Sequence, residues 1–150
     1  DRSVSRGLGD VYKRQELMKR YNSFLLTEDH EMMKEIKKTN QSRSWYMPAG
    51  TKEHLFKFLC NFPITIIRSF KAFLKVKPDV VIATGAHTTV PICYIAKLFG
   101  KKVIFIETFA NITTKTLSGK LVYPIADLFL VQWEEMLELY PNAKYRGGLK

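Results

Sequence analysis

The feature that most narrows the fold is an alternation of short apolar runs with helical stretches. Asp79-Val-Val-Ile-Ala83, Lys102-Val-Ile-Phe-Ile106 and Leu128-Phe-Leu-Val-Gln132 have the length and the β-branched or aromatic content of strands. Between them, residues 90–99 and 113–123 are helical in character, and 134–139 follows as a further helix. Strands and helices alternating at this spacing build βαβ units and a parallel sheet. The run at 79–83 is expected to be buried on both faces, since every residue after Asp79 is apolar. Pro91 suits the first turn of the next helix, and Gly100 suits its C′ stop.

Upstream the pattern is shorter and more charged. Residues 16–21 read as the tail of a helix and 23–27 as a short strand. Residues 29–38 read as an exposed helix capped near 27–29, and 43–47 as a strand closed by Pro48 and Gly50. Residues 52–77 are expected to be helical with an interruption at Pro63. Residues 1–15 show no apolar period. They resemble a translated adaptor tail and are set apart as non-native, leaving 16–150 as one α/β domain.

Composition removes several classes. A chain of 150 residues that is 46% hydrophobic and 25% charged can build a core, which excludes disordered, collagen-like and coiled-coil readings. The uncharged, glycine-free stretch 58–67 has ten residues, whereas a spanning helix needs about 20. Cys60 and Cys93 sit in apolar runs without framework spacing, which fits a reducing compartment. His30, His54 and His87 are scattered and no CxxC pair exists, so no metal site is expected. No cofactor is expected either. A dinucleotide-binding oxidoreductase would need a Gly-x-Gly-x-x-Gly turn, and the sequence has none.

The net charge of +10 points to an anionic partner: nucleic acid, anionic lipid or a phosphorylated substrate. Half of it lies in 52–77, where Lys52, Lys57, Arg68, Lys71, Lys75 and Lys77 face Glu53 alone. The same stretch carries Phe56, Phe58, Phe62, Phe70 and Phe73. After Pro63, helical spacing puts Ile66, Ile67, Phe70, Phe73 and Leu74 on one face and Arg68, Lys71 and Lys75 on another. That pattern suits the plane of an anionic membrane, and equally a core helix with a solvated basic face. Phe62, Ile66, Arg68, Phe70, Lys71, Phe73 and Lys75 are the candidate membrane contacts. Nucleic acid is set aside, because no recognised nucleic-acid motif is present and the aromatics are mixed with aliphatic rather than base-reading side chains.

Ligands of open parallel sheets bind beyond the carboxyl ends of the strands. One such end is Ala83-Thr-Gly-Ala-His-Thr-Thr-Val-Pro91, where Gly85 permits close backbone approach, Thr88 and Thr89 are candidate caps, and the helix start would favour a phosphate. A plain strand–turn–helix connection fits the same residues. The other end is Val103-Ile-Phe-Ile-Glu107, where a carboxylate closes an apolar run. It reads either as a group for a sugar hydroxyl or general-base chemistry, or as a solvated strand terminus.

Four segments carry a resemblance: Pro78-Asp-Val-Val-Ile-Ala-Thr-Gly-Ala-His87; Lys102-Val-Ile-Phe-Ile-Glu-Thr-Phe-Ala110; the run from Leu117 through Ser-Gly-Lys-Leu-Val-Tyr-Pro-Ile-Ala-Asp to Glu135; and the closing Tyr140-Pro-Asn-Ala-Lys-Tyr-Arg-Gly-Gly148. Together they resemble the acceptor-side, membrane-anchoring subunit of split GT-B glycosyltransferases. That family includes the eukaryotic N-acetylglucosaminyltransferase subunit of chitobiosyl-diphosphodolichol synthesis and bacterial capsule and exopolysaccharide counterparts. The resemblance implies a Rossmann-like N-terminal half of a GT-B enzyme, a hexosyltransferase active only with a separate catalytic subunit that binds the UDP-sugar. It implies a polyprenyl-diphosphate-linked sugar as acceptor, at the cytoplasmic face of the cell membrane, with the chain held there peripherally. Gly85, Ala86, His87 and Thr88 would then face the acceptor diphosphate and Glu107 the acceptor sugar, as the candidate catalytic residue. Trp133, Gly147 and Gly148 would contact the partner. The alternative is a non-catalytic membrane adaptor that only recruits the catalytic subunit.

Two departures follow from the same resemblance. Asn111 stands where the family often has an arginine. The family's opening strand and Gly-Gly-His loop are missing, and that strand lies mid-sheet. Each buried unpaired backbone group costs roughly 1–3 kcal/mol, so about five or six of them rival a domain's stability of about 5–15 kcal/mol. Residues 16–150 expressed alone are therefore expected to melt broadly by circular dichroism. A sharp two-state transition would contradict this.

Overall fold

In the computed structural model the described residues are 25–28 and 44–47, the helix backbone of 55–62, and 63–85, 87–110 and 112–147 with their side chains. The chain divides into two compact units, Asp1–Tyr46 with Lys150, and Met47–Leu149. The first carries a two-stranded sheet of β1 (Leu25–Glu28) and β2 (Ser44–Met47). The readings at 1–15, 16–21 and 29–38 lie outside the described residues.

The second unit is a parallel α/β layer. Helix α1 (Leu55–Val76) leads into β3 (Val80–Thr84), α2 (Val90–Leu98), β4 (Lys102–Ile106), α3 (Leu117–Val122), β5 (Leu128–Val131) and β6 (Lys144–Tyr145). The sheet order is β3-β4-β5-β6. All three pairings are parallel, with Val81 opposite Val103, Phe105 opposite Phe129 and Val131 opposite Tyr145. This is the parallel α/β class that the alternation predicted, with the Rossmann-like form that the resemblance implied. The two-residue β6 escaped notice because Lys144-Tyr145 has no apolar run to announce it.

Period-two alternation sorts the sheet into unlike faces. Val81, Ala83, Val103, Phe105, Phe129 and Val131 form the core face, and the rings of Phe105 and Phe129 stack at 5.1 Å. Helix α2 contributes Val90, Ile92, Cys93, Ile95 and Ala96 to the same core. Burial pushes the Cys93 thiol up to about 12, so it is a packing group rather than a nucleophile. The other parity is open: Val80 is exposed, Ile82 keeps 50% of its surface in solvent, and Ile104 and Leu128 are half-buried. The expectation that 79–83 is covered on both faces is thus corrected for the described residues.

Helix α1 runs unbroken through Pro63, against the expected interruption. Proline removes one backbone donor, and the remaining turns hold the helix together. Its buried side is Thr65, Ser69, Ala72 and Phe73, at spacings of four, three and one. Phe73 is therefore a core residue with its ring 5.0 Å from Phe99, not a membrane contact. The helix stops where Lys77 takes a left-handed φ of 47° and its N–H donates to Phe73 O at 2.7 Å. Pro78 explains the stop, since the residue before proline is barred from the right-handed helical region.

Asp127 fastens the start of β4. Its Oδ2 accepts from Val103 N and its Oδ1 from Lys97 Nζ, both at 2.9 Å. The lysine and the amide hold its carboxyl down at about 2, against an ordinary 3.8. A lowered carboxyl stabilises the fold above its unfolded-state value, and that contribution is lost as pH falls through the folded value. Asp127→Asn should therefore cost about 1–2 kcal/mol at neutral pH. The deficit should shrink between pH 3.8 and about 2 in chemical denaturation; a pH-independent deficit would contradict this.

Candidate functional site

The carboxyl ends of β3 and β4 are tied together by backbone and side chain. Gly85, with φ +39°, donates its N–H to Ile106 O at 3.1 Å. A Cβ on Gly85 would sit 3.0 Å from Thr108 Cβ, so glycine is required both by the positive φ and by the approach of the neighbouring loop. Residues His87–Thr89 form a 3-10 turn, and Thr89 is the N-cap of α2. The side-chain cap expected of Thr89 is not formed. Thr89 has helical angles (φ −86°, ψ −12°) and its side chain makes no capping bond. Thr88 is buried, and His87 is half-buried. Ala86 lies outside the described residues.

Glu107 is neither solvated nor open to a substrate, the two alternatives the sequence offered. It has 0% of its surface exposed. The cause is parity: Val103, Phe105 and Glu107 point the same way, into the core face. A charge there needs donors around it, and three converge. Oε1 accepts from Thr108 N at 2.9 Å and Thr116 Oγ1 at 2.8 Å, and Oε2 accepts from the Tyr140 hydroxyl at 2.9 Å. Tyr140 is fully buried, and its hydroxyl is pushed well above its usual range, first by burial and then by this carboxylate.

The network explains the most specific stretch of the sequence. Thr116 is the N-cap of α3, in extended geometry (φ −70°, ψ 157°), and accepts from Gly119 N at 2.9 Å while donating to Glu107. Ser118 Oγ donates to Gly85 O at 2.9 Å, which carries the tie across to the β3 loop. Gly119 leaves the space: a Cβ there would land on Glu107 Oε2, the Tyr140 hydroxyl and Thr116 Oγ1. Ser118, Gly119 and Tyr140 stand in the segments that carried the resemblance but had no role assigned from sequence, and Thr116 was not singled out. The parity of Glu107 and the Thr-x-x-Gly cap spacing were the available signals.

Trp133, expected at a partner contact, lies just past β5. Its indole N–H donates to Phe109 O at 3.0 Å, and the two rings are 4.5 Å apart. Gly147 is exposed with φ +83°; Gly148 lies outside the described residues, as does the side chain of Phe62. On α1, Ile66, Phe70, Arg68, Lys71 and Lys75 are exposed. Among the described residues no group of three His, Cys, Asp or Glu side chains could hold a metal ion. A hollow of about 310 Å³ beside Tyr123, Asp127 and Asn142 lies at the amino end of β5, away from these loops.

A parallel sheet in the order β3-β4-β5-β6, with two loops locked together at its carboxyl edge, defines the class: an α/β domain with a Rossmann-like sheet. A family model described as "Oligosaccharide biosynthesis protein Alg14 like" matches residues 26–149. The chain belongs to that family. The mouse protein named UDP-N-acetylglucosamine transferase subunit ALG14 is 42% identical over 87 residues, covering 54% of this chain and 40% of that protein. The Schizosaccharomyces pombe protein of the same name is 43% identical over 75 residues, covering 47% and 36%. The Candida albicans one is 39% identical over 101 residues, covering 61% and 46%. The chain thus spans less than half the length of these relatives.

The network makes a sharp prediction. Gly119→Ala should destabilise by about 1–3 kcal/mol through overpacking. Glu107→Ala should cost about 3 kcal/mol or more, because three buried donors lose their acceptor. Urea titrations within 0.5 kcal/mol of wild type for either (about the scatter of a neutral surface change) would contradict the assignment.

Proposed function

We propose that this chain is the acceptor-binding and membrane-recruiting part of a two-subunit glycosyltransferase. The partner would be a catalytic GT-B subunit that binds a UDP-sugar, UDP-N-acetylglucosamine by analogy with the names of the relatives. The acceptor would be a sugar on a polyprenyl diphosphate, in lipid-linked oligosaccharide or polysaccharide assembly, with capsule and exopolysaccharide as possible settings. The observation that carries this reading is the tie between the Gly85 and Thr108 loops, which makes one edge out of two strand ends.

In this reading the turn Gly85-Ala-His-Thr88 faces the diphosphate, with His87 beside it. Glu107 does not touch the substrate. It is a positioning residue, which sets the Thr108 loop and anchors Thr116 at the start of α3, the turn from which Ser118 holds the Gly85 carbonyl. The burial of Glu107 favours the second reading to this extent: the acid–base group of the transfer would come from the partner, and this chain would bind and recruit.

Helix α1 supplies the membrane side. Ile66, Ile67, Phe70 and Leu74 are exposed, with 55% of Ile67 and 42% of Phe70 in solvent. The half-exposed Phe99 ring extends the stripe 6.3 Å from Phe70. Arg68, Lys71 and Lys75 run alongside, all exposed. An apolar stripe flanked by cations lies well in the interface plane of an anionic bilayer. Among the described residues no helix is long and apolar enough to cross a membrane. The association proposed is peripheral, at the cytoplasmic face.

Co-sedimentation with vesicles of phosphatidylglycerol and phosphatidylcholine tests this. Replacing Arg68, Lys71 and Lys75 together with Gln should weaken binding by about 3 kcal/mol, on the order of 100-fold, and Phe70→Ser should weaken it further. Binding unchanged in the triple variant would contradict the membrane assignment. In the reconstituted pair, His87→Ala should lower transfer to the lipid-linked acceptor while leaving subunit affinity intact.

A further inference from the structure

One feature of the carboxyl edge has no role in the core or in the Glu107 network. Phe109, three residues past β4, and Trp133, two past β5, come from different loops and meet face against face. Their centroids are 4.5 Å apart and their planes are tilted by 39°. The indole N–H is fixed on Phe109 O at 3.0 Å, so the pair is held by a hydrogen bond as well as by ring contact. Even so, Phe109 leaves 37% of its surface in solvent, and Ile112 beside it in sequence is exposed too. We propose that Phe109 and Trp133 form the platform on which the pyranose ring of the acceptor stacks.

Chemistry and placement support this occupant. A pyranose carries hydroxyls around its rim and C–H groups on its faces, and those faces pack on aromatic rings. With their centroids 4.5 Å apart the rings pack against each other, so Trp133 backs Phe109 and the exposed face of Phe109 is the surface offered to a sugar. The C–H face of a pyranose packs on such a ring while its hydroxyls stay at the solvated rim. A platform already locked by its own hydrogen bond loses little freedom on binding. Phe109 directly follows Thr108, which packs against Gly85. The platform therefore adjoins the turn assigned to the diphosphate, as a sugar joined to that diphosphate requires. The inference rests on the acceptor-side reading for the ligand's identity, but not for the existence of a sugar-binding surface.

Two measurements separate these. In the full-length protein paired with its catalytic subunit, Phe109→Leu and Trp133→Leu should each raise KM for the lipid-linked acceptor about tenfold, the value of one lost stacking contact. The kcat, the KM for the UDP-sugar and the subunit affinity should stay within about twofold, the ordinary scatter of a distant change. An unchanged acceptor KM overturns the proposal. So does a rise confined to the UDP-sugar KM, which would mark a nucleobase platform, or a loss of subunit affinity, which would mark a partner contact. Independently of activity, N,N′-diacetylchitobiose should quench tryptophan fluorescence saturably in the wild type. The quench should vanish in Trp133→Phe, with far-ultraviolet circular dichroism still reporting an intact fold. Absence of quench in the wild type overturns the platform. Quench without any transfer by the paired subunits would instead contradict the glycosyltransferase reading and leave the sugar platform standing.

Discussion

A carboxylate with no solvent around it is the constraint on which the rest of this unit depends. Glu107 follows the parity of Val103 and Phe105 into the core face, where a charge is tolerated only if donors replace water. The three donors come from three parts of the chain: the next backbone amide, the cap of α3, and a tyrosine 33 residues further on. Each imposes its own demand. Thr116 must cap, Gly119 must lack a side chain, and Tyr140 must reach inward past Phe129, whose ring lies 4.6 Å from its own. Residues far apart in sequence are thereby held to one geometry, and the Gly85 turn is held with them through Ser118.

The parallel sheet was legible because β-branched runs and helical periods alternate cleanly; β4 falls on 102–106 as read, and Gly100, at φ +69°, follows α2 as expected. What was not legible depended on long-range partners. Glu107 ends an apolar run, and sequence alone cannot tell a strand tip in water from one under a helix layer. Tyr140 looks like a loop aromatic until its hydroxyl is seen on Glu107. The stretch 113–123 shrank to Leu117–Val122 because Thr116 is committed to capping, and 134–139 became a 3-10 segment, Glu134–Leu137. On the faces of α1 the misreading concerned Phe73 alone. It was grouped with Ile66, Ile67, Phe70 and Leu74, but the helix is rotated so that Phe73 joins the buried stripe of Thr65, Ser69 and Ala72 while the other four face out.

That rotation gives the surface its meaning. A helix that buries threonine, serine and alanine while exposing isoleucine, phenylalanine and leucine inverts the usual arrangement of an amphipathic core helix. An inverted helix beside three cations wants an apolar, anionic surrounding, and a lipid surface supplies both. In the proposed function the edge of tied loops and the helix stripe become two working surfaces, one for the acceptor sugar and one for its lipid. The family to which the chain belongs is described by oligosaccharide biosynthesis.

Amide hydrogen exchange on Glu107→Gln tests the central claim most directly, since this isosteric change turns one acceptor into a donor without opening a cavity. If the carboxylate locks the loops, the amides of Gly85, Thr108 and Gly119 should all exchange at least about tenfold faster than in wild type, while Val103 and Phe105 in β4 keep their protection. Acceleration at Thr108 alone, with Gly85 and Gly119 unchanged, would mean that the carboxylate serves only its own turn.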